Sequence, residues 1–549
     1  MTMRMRLTAG VAAFALMGGT AWADVTPEQV WQSWLDYYKA SGVTVTEGAR
    51  SQQGDTLLLT DVVMESSAPV NSPEDGKATI TLPQISLRDM GDGRVEVTMA
   101  ETSDFVFTGE NAEGKPTEAK GKLVQSGMTS VVSGRPEMMN YDVKMPTVTL
   151  SIDEVAEDGK PVPMGLTATL TDTTGTYVMD QASGQKVVAA LKSKGASVAM
   201  KGEDPDSDGT FDLNWTLTDL AMDSTTLLPA GVNAEDLNAA LHAGMDVQGT
   251  MTYGPGTITA TFAGKNEDGS DNNGSLNGTD NGGSGSFQMS QAGMNYDLQS
   301  NGGKATLTMA SLPFPMEYGV GKAVMGLTMP LVKSDTAAPY GVRFGMTGLT
   351  FSDGLWAMFD PEQKLPRDPI NLDINLAGLT KLTADLFDPA TMAPENGDVP
   401  FDPQTLDIKS LAISAVGASL TANGALKFLP APTPPATEGM EGMDGMSGMD
   451  GMSGDAGTKN TPDATDPEAA EPDMAEQGVL PVGTIEARAT GVDALLDNLV
   501  AMGFVPEDQV AGFRMMLALF ATADGKGGLT SKVEFREDGG IYANDQRIQ

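Results

Sequence analysis

The chain has 549 residues, 40% of them hydrophobic, so it is long enough for more than one core. Its 74 acidic and 34 basic residues give a formal charge of −40, a surface that repels phosphate backbones and excludes nucleic acid as a partner. There is no cysteine and one histidine, His242, which excludes thiol catalysis, Cys-zinc sites and iron–sulfur clusters and leaves little histidine chemistry.

Arg4 and Arg6 precede an uncharged apolar run, Leu7 to Ala23, that closes on Ala21-Trp22-Ala23. Charged, then apolar, then small-x-small is the order of a secretory signal. Residues 1–23 are therefore expected to be removed, leaving a periplasmic chain that begins at Asp24. The run is shorter than the roughly 20 residues that span a bilayer, and no later run is longer, so no transmembrane anchor is expected after processing. A helix follows. Thr26 can cap it, Pro27 suits its first turn, Gln29 completes a capping box and Gly42 can end it. Val30, Trp31, Trp34, Leu35 and Tyr38 recur at helical spacing and form a face that docks on the sheet to come.

From Val43 the period becomes two. Thr79 to Leu82, Arg94 to Met99, Tyr141 to Ile152 and Thr257 to Phe262 alternate apolar and polar residues, with turns such as Met90-Gly91-Asp92-Gly93 between strands. That is the pattern of antiparallel strands with one buried face. The expected fold is mainly β: an extended, curved antiparallel sheet with a few short amphipathic helices. Residues 24–265 read as the helix plus a β-rich module. Residues 266–286 are almost wholly Gly, Asn, Asp and Ser, and read as a flexible loop that can bury nothing. Residues 287–429 read as a second β-rich module, related to the first through Leu217–Met222 and Met346–Phe351. One short helix is expected, capped by Asn233 and ended by Gly244, with Leu237, Ala240 and Leu241 inward and His242 in a structural or exposed place beside them.

Residues 430–478 begin Pro-rich, pass through Gly/Met/Asp triplets and end acidic, so they read as a disordered insertion between neighbouring strands. Residues 479–549 complete the second module. They carry a strand, a helix lined by Val492, Leu495, Leu496 and Leu499, and a helix lined by Val510, Phe513, Leu517 and Phe520. A hairpin closes the chain, from Leu529–Phe535 to Ile541–Arg547 through Asp538-Gly539-Gly540.

The most distinctive stretch is Trp356 to Gly378. It reads Trp-x-x-Phe-Asp-Pro, then Leu365-Pro366-Arg367-Asp368-Pro369, then Leu372, Ile374 and Leu376 in alternation, then Gly378. With Met329-Pro330-Leu331 before it and the helix pair and hairpin after it, the chain resembles the bacterial family catalogued as domain of unknown function 2125, best from Ser286 onward. The resemblance implies an exported protein of the proteobacterial envelope and brings no substrate or catalytic residue. The ending is also similar to envelope proteins of the AsmA type, which handle lipids. Arg367 and Asp368 read as an ion pair fixing the Pro-rich turn.

Three motifs carry possible chemistry. Asp204, Asp206, Asp208 and Asp212 match the first half of a calcium loop, since hard oxygens at alternate positions converge on one ion. Trp215 stands where the bidentate Glu belongs, and an acidic turn is the competing reading. Met440, Met443, Met446, Met449 and Met452 recur every third residue, and their soft thioethers suit Cu(I). A slipped low-complexity repeat, with Met as incidental filler, is the competing reading. Ser183 and Lys186 fit a Ser-x-x-Lys spacing whose partner motifs are absent. No catalytic residue and no cofactor is assigned. The leading expectation is a non-enzymatic envelope protein that binds a lipid or an envelope protein on a sheet face. The alternatives are a carboxylate-based hydrolase and a weak copper- or calcium-binding protein.

Overall fold

The computed structural model describes residues 24–67, 76–111, 114–182, 184–204, 209–232, 236–266, 268–388, 391, 400–430 and 479–549. The signal-like segment, Ser183, Asp206, Asp208, Asn233 and the Met triplets lie outside the described residues.

The N-terminal helix spans Pro27–Ala40. Gln29 N donates to Thr26 Oγ1 at 3.3 Å and Thr26 N donates to Gln29 Oε1 at 3.0 Å, which completes the expected capping box. Trp31, Trp34 and Val30 are buried against the first strands.

Thirty strands then form one antiparallel sheet among the described residues. Thr56–Ser67 and Lys77–Asp89 pair along their length. Two tiers of short strands follow: Val95–Met99 with Thr129–Arg135, and Thr102–Glu110 with Pro116–Ser126. Both tiers rejoin at the long strand Met138–Glu157. Met164–Asp180, Gln185–Asp204 and Gly209–Leu228 come next, paired in that order. The sheet splits into two tiers again. One runs Asp246–Tyr253, Gly283–Ser290, Gly293–Ser300, Lys322–Met329. The other runs Gly256–Ala263, Gly274–Asp280, Gly303–Met309, Met316–Val320. They rejoin at Ser334–Phe351, which leads through Ile370–Leu382, Phe401–Ala415, Ala418–Pro430 and Val479–Thr490 to Gly528–Phe535. No pairing among the described residues closes this ladder into a barrel.

Long strands keep their apolar side chains on one face by a local kink. In Thr56–Ser67, Leu57 and Leu59 precede Asp61 while Val62 and Met64 follow it, so the alternation changes parity. All four nevertheless meet in one core, because Asp61 takes φ 51° and turns the strand by half a period. Asp tolerates this left-handed region better than most residues. Asp172 and Asp219 repeat the device at φ 50°.

Several expectations need correction. Residues 266–286 are not a loop: Gly274–Asp280 is a strand, Gly283–Ser290 is another, and the ladder passes through without a break between modules. The reason is cover from a neighbour. The Phe262 ring lies over Gly274, where a Cβ would come within 2.3 Å of it, so the glycine is what the packing requires. The short helix Leu237–His242 is capped by Asp236, whose Oδ1 accepts from Ala239 N at 2.9 Å. The C-terminal helices span Val492–Ala501 and Glu507–Phe520, with Pro506 as the cap of the second. The closing arm is not one strand to Arg547. Ile541–Ala543 folds back on Gln546–Arg547 through Asn544 and Asp545, at φ 48° and 68°. Arg367 pairs with Asp353 and lies 5.9 Å from the Trp356 ring centroid, so the partner is not the adjacent Asp368. As expected for an insertion between neighbouring strands, Pro430 and Val479 are register partners, so the strands that flank residues 431–478 lie side by side.

Candidate apolar binding face

Strand register builds a feature that no single strand displays. Cα partners can be followed across the sheet from Leu57 through Leu87, Val97, Ser130, Val143, Gly175, Leu191 and Met222. The same row continues through Met251, Gly285, Leu298, Met325, Phe344, Ile374, Leu411, Ala422 and Ala487. No charged residue interrupts it. With strands about 4.8 Å apart, the row is roughly 75 Å long. Where it meets Gly175 and Gly285, the Leu191 and Leu298 side chains lie over the gap.

A parallel row lies two residues along the same strands. It includes Tyr141, Tyr177, Ala189, Phe287, Tyr296, Leu327, Val342, Leu376, Ile408 and Ile485. A third occupies the other tier, from Ile80 and Phe105 through Ile152, Leu166, Met200 and Leu213 to Leu276 and Leu307. The intervening positions are polar: Asp223, Thr250, Ser286, Asp297, Arg343 and Asn375 form one such row. The sheet thus has an apolar face and a polar face along its length.

Only part of the apolar face is covered. Leu87 is 0% exposed and Val97 2%, whereas Met325 is 45% and Phe344 42% on the same row. The cover at the start is the N-terminal helix. Trp34 Nε1 donates to Tyr141 Oη at 3.0 Å, and Tyr141 stacks on Tyr177 at 4.2 Å and 7°. Burial pushes the Tyr141 hydroxyl up to about 12. Trp31 Nε1 donates to Glu47 at 2.6 Å, and Arg50 with Trp31 holds that carboxyl below its ordinary value.

Smaller covers sit at the margins. The helix Leu237–His242 packs Leu241 and Ala240 near Val247, Met289, Met294 and Met329, at the ends of their strands. His242 Nε2 lies 2.8 Å from Asp385 Oδ2, and Lys333 N donates to Oδ1 at 2.6 Å. Burial opposes the Asp385 charge, but His242 and the Lys333 amide outweigh it and hold the carboxyl below its ordinary value. His242 therefore ties a helix to a loop, which is the structural place expected for it. Near the other end Trp356 is buried beside Asp360, whose oxygens accept from Lys364 N at 2.8 Å and Leu365 N at 3.0 Å.

A cavity of about 1630 Å³ lies among the central strands and is lined from both the polar rows and the second apolar row. On Phe401–Ala415 it is lined by Thr405, Asp407 and Lys409, but not by the intervening Leu406 and Ile408. Gln248, Gln288, Asn295, Thr328 and Asn375 continue its wall. Four carboxylates, Asp223, Asp297, Asp407 and Glu537, are spread along it on separate elements. The hollow is thus mixed in character: its polar side chains share it with Val188, Leu379, Leu426, Leu429 and Val482, and Phe287, Tyr296, Leu327, Val342 and Leu376 of the second row line it as well.

Of the motif residues, the structure describes the side chains of Asp212 and Lys186. Asp212 accepts from Asn214 Nδ2 at 2.8 Å and faces Lys201 Nζ at 3.9 Å. Asp204 ends its strand, with its side chain outside the described residues. Among the described residues no group of three His, Asp or Glu side chains converges on a cation position. Lys186 sits on the strand Gln185–Asp204, so it is not one helical turn from Ser183. Alternation within strands marks each apolar residue in the sequence, but register alone joins them into rows. No family model matches the chain, and no curated protein matches it.

Proposed function

We propose that this chain is an exported, non-enzymatic protein of the bacterial envelope that holds extended acyl chains along the apolar face of its sheet. The observation that supports this is the uninterrupted register row from Leu57 to Ala487, left open from Met222 to Leu411. Monomeric proteins seldom expose so large a contiguous apolar surface unless it contacts something. An acyl chain is long, uncharged and narrow, and asks of its host only what this row offers: apolar area without hydrogen-bond partners. Membership of the family catalogued as domain of unknown function 2125 and a periplasmic location belong to the same proposal, resting on Trp356–Gly378 and on residues 1–23.

The test is native extraction followed by mass spectrometry for bound lipid, with fluorescent fatty-acid titration of the delipidated protein. Binding at micromolar fatty acid is expected. A protein that carries no lipid and does not respond to the probe would sink the reading.

A further inference from the structure

The helix Glu507–Phe520 holds a second apolar exposure, and its place matters. Its first half behaves as a docked amphipathic helix: Val510 is buried, and Arg514 bonds Asp497 at 2.8 Å and Asp493 at 3.2 Å on the preceding helix. From Met515 to Phe520 the sequence is Met-Met-Leu-Ala-Leu-Phe, apolar on every side. A helix that is apolar all round belongs in an apolar surrounding. Here Met515 is 73% exposed and Leu519 60%, and Phe504, Met516 and Phe520 are exposed beside them.

This end lies where the apolar row stops. The Phe520 carbonyl accepts from Ser531 Oγ at 2.6 Å, and Ser531 is the register partner of Ala487, the last apolar member of the row. The exposed helix therefore lies at the end of the row, with Ala422 and Ala487 between it and the open stretch that ends at Leu411.

We propose that the Met515–Phe520 end, with Phe504, docks into the surface of a lipid layer with neutral or zwitterionic headgroups. The proposal rests on the acyl-chain reading, since it brings the sheet that carries the open row to a source of acyl chains. Charge selects this occupant over a second copy of the chain. Asp493, Asp497, Glu507 and Asp508 flank the patch, and an isologous contact would set these carboxylates against themselves in a chain of net charge −40. Charge also selects the headgroup. Arg514 is the one cation of the helix pair and is engaged by two carboxylates, and Lys364 beside the pair is engaged by Ala501 O and Glu362, so the acidic pair offers little to attract an anionic surface. Apolar insertion is left as the driving force, and Met side chains adapt readily to a fluid surface.

The test is co-flotation of the full chain with phosphatidylcholine vesicles, comparing it with the double variant Met515→Glu, Leu519→Glu. Both sites are exposed, so the melting temperature should stay unchanged. We expect wild type to float equally at low and high salt, the variant to lose at least tenfold in vesicle binding, and both to bind soluble fluorescent fatty acid alike. Fatty-acid binding without vesicle binding by wild type would overturn the docking and leave the acyl reading standing. Absence of fatty-acid binding by wild type would overturn the acyl reading instead. A wild-type dimer that the variant converts to monomer would also overturn the docking, in favour of a second copy.

Discussion

Leu87 and Phe344 occupy the same transverse row of the same sheet, yet Leu87 is core and Phe344 is surface. The strands that bear them are equally alternating. What differs is the cover: Trp31 and Trp34 close the face over the first strands, and nothing comparable among the described residues lies over the span from Met222 to Leu411. Reach explains the limit. A helix of 14 residues is about 21 Å long, enough for about four strands, while the row is several times longer. An alternating pattern commits a strand to a one-sided environment, and whether that environment is protein or ligand depends on what else the chain supplies.

The sharpest way to break this contrast is to truncate one aromatic in each region. Trp31→Ala should cost about 3–5 kcal/mol in urea unfolding, as for other large buried side chains. Phe344→Ala should cost less than about 1 kcal/mol, in the range of surface substitutions. Equal costs would show that the second region is core as well. Next in size is a charge placed in the open row. Phe344→Glu should weaken fatty-acid binding at least tenfold, about 1.4 kcal/mol, with little loss of melting temperature. Unchanged binding would move the ligand elsewhere.

A smaller effect concerns the minor cover around Trp356. Burial opposes the Asp360 charge, but the Leu365 and Lys364 amides outweigh it and hold the carboxyl below its ordinary value. Its stabilisation is thus full above the unfolded-state value and is lost as pH falls through the lower, folded one. Acid titration of melting temperature should show that loss in wild type, and Asp360→Asn should flatten it. The smallest expected effect is deletion of residues 434–476. Pro430 and Val479 are already paired, and each doubling of loop length costs only about 0.6 kcal/mol, so the melting temperature should barely move.

The class of fold is legible in the sequence, because period-two alternation and turn clusters are local properties. So is the N-terminal cap, since Thr26, Pro27 and Gln29 meet their partners within one turn. The site is legible only in fragments. Met325 announces an apolar face in its own strand, but its alignment with Leu298 and Phe344 is set by pairing across loops. Gly274–Asp280 defeats a compositional reading because its apolar cover arrives from Phe262 on a neighbouring strand. Arg367 defeats a proximity reading, since Asp353 lies farther along the chain than Asp368 but nearer in the fold. The apolar exposure at Met515 and Leu519 is foreshadowed by the run Met-Met-Leu-Ala-Leu-Phe, which has too few polar residues to make a solvated side.

The open ladder also bears on how the molecule folds and unfolds. Each strand is bonded only to the strands beside it, and most of those are near in sequence. Such an array has nearest-neighbour energetics, so fraying at the Gly528–Phe535 end need not disturb Thr56–Ser67. Unfolding should then spread over a wide temperature range, with a van't Hoff enthalpy below the calorimetric one. The helix-capped end can also consolidate while later strands are still emerging, which lets the chain build its sheet one strand at a time from the N-terminus.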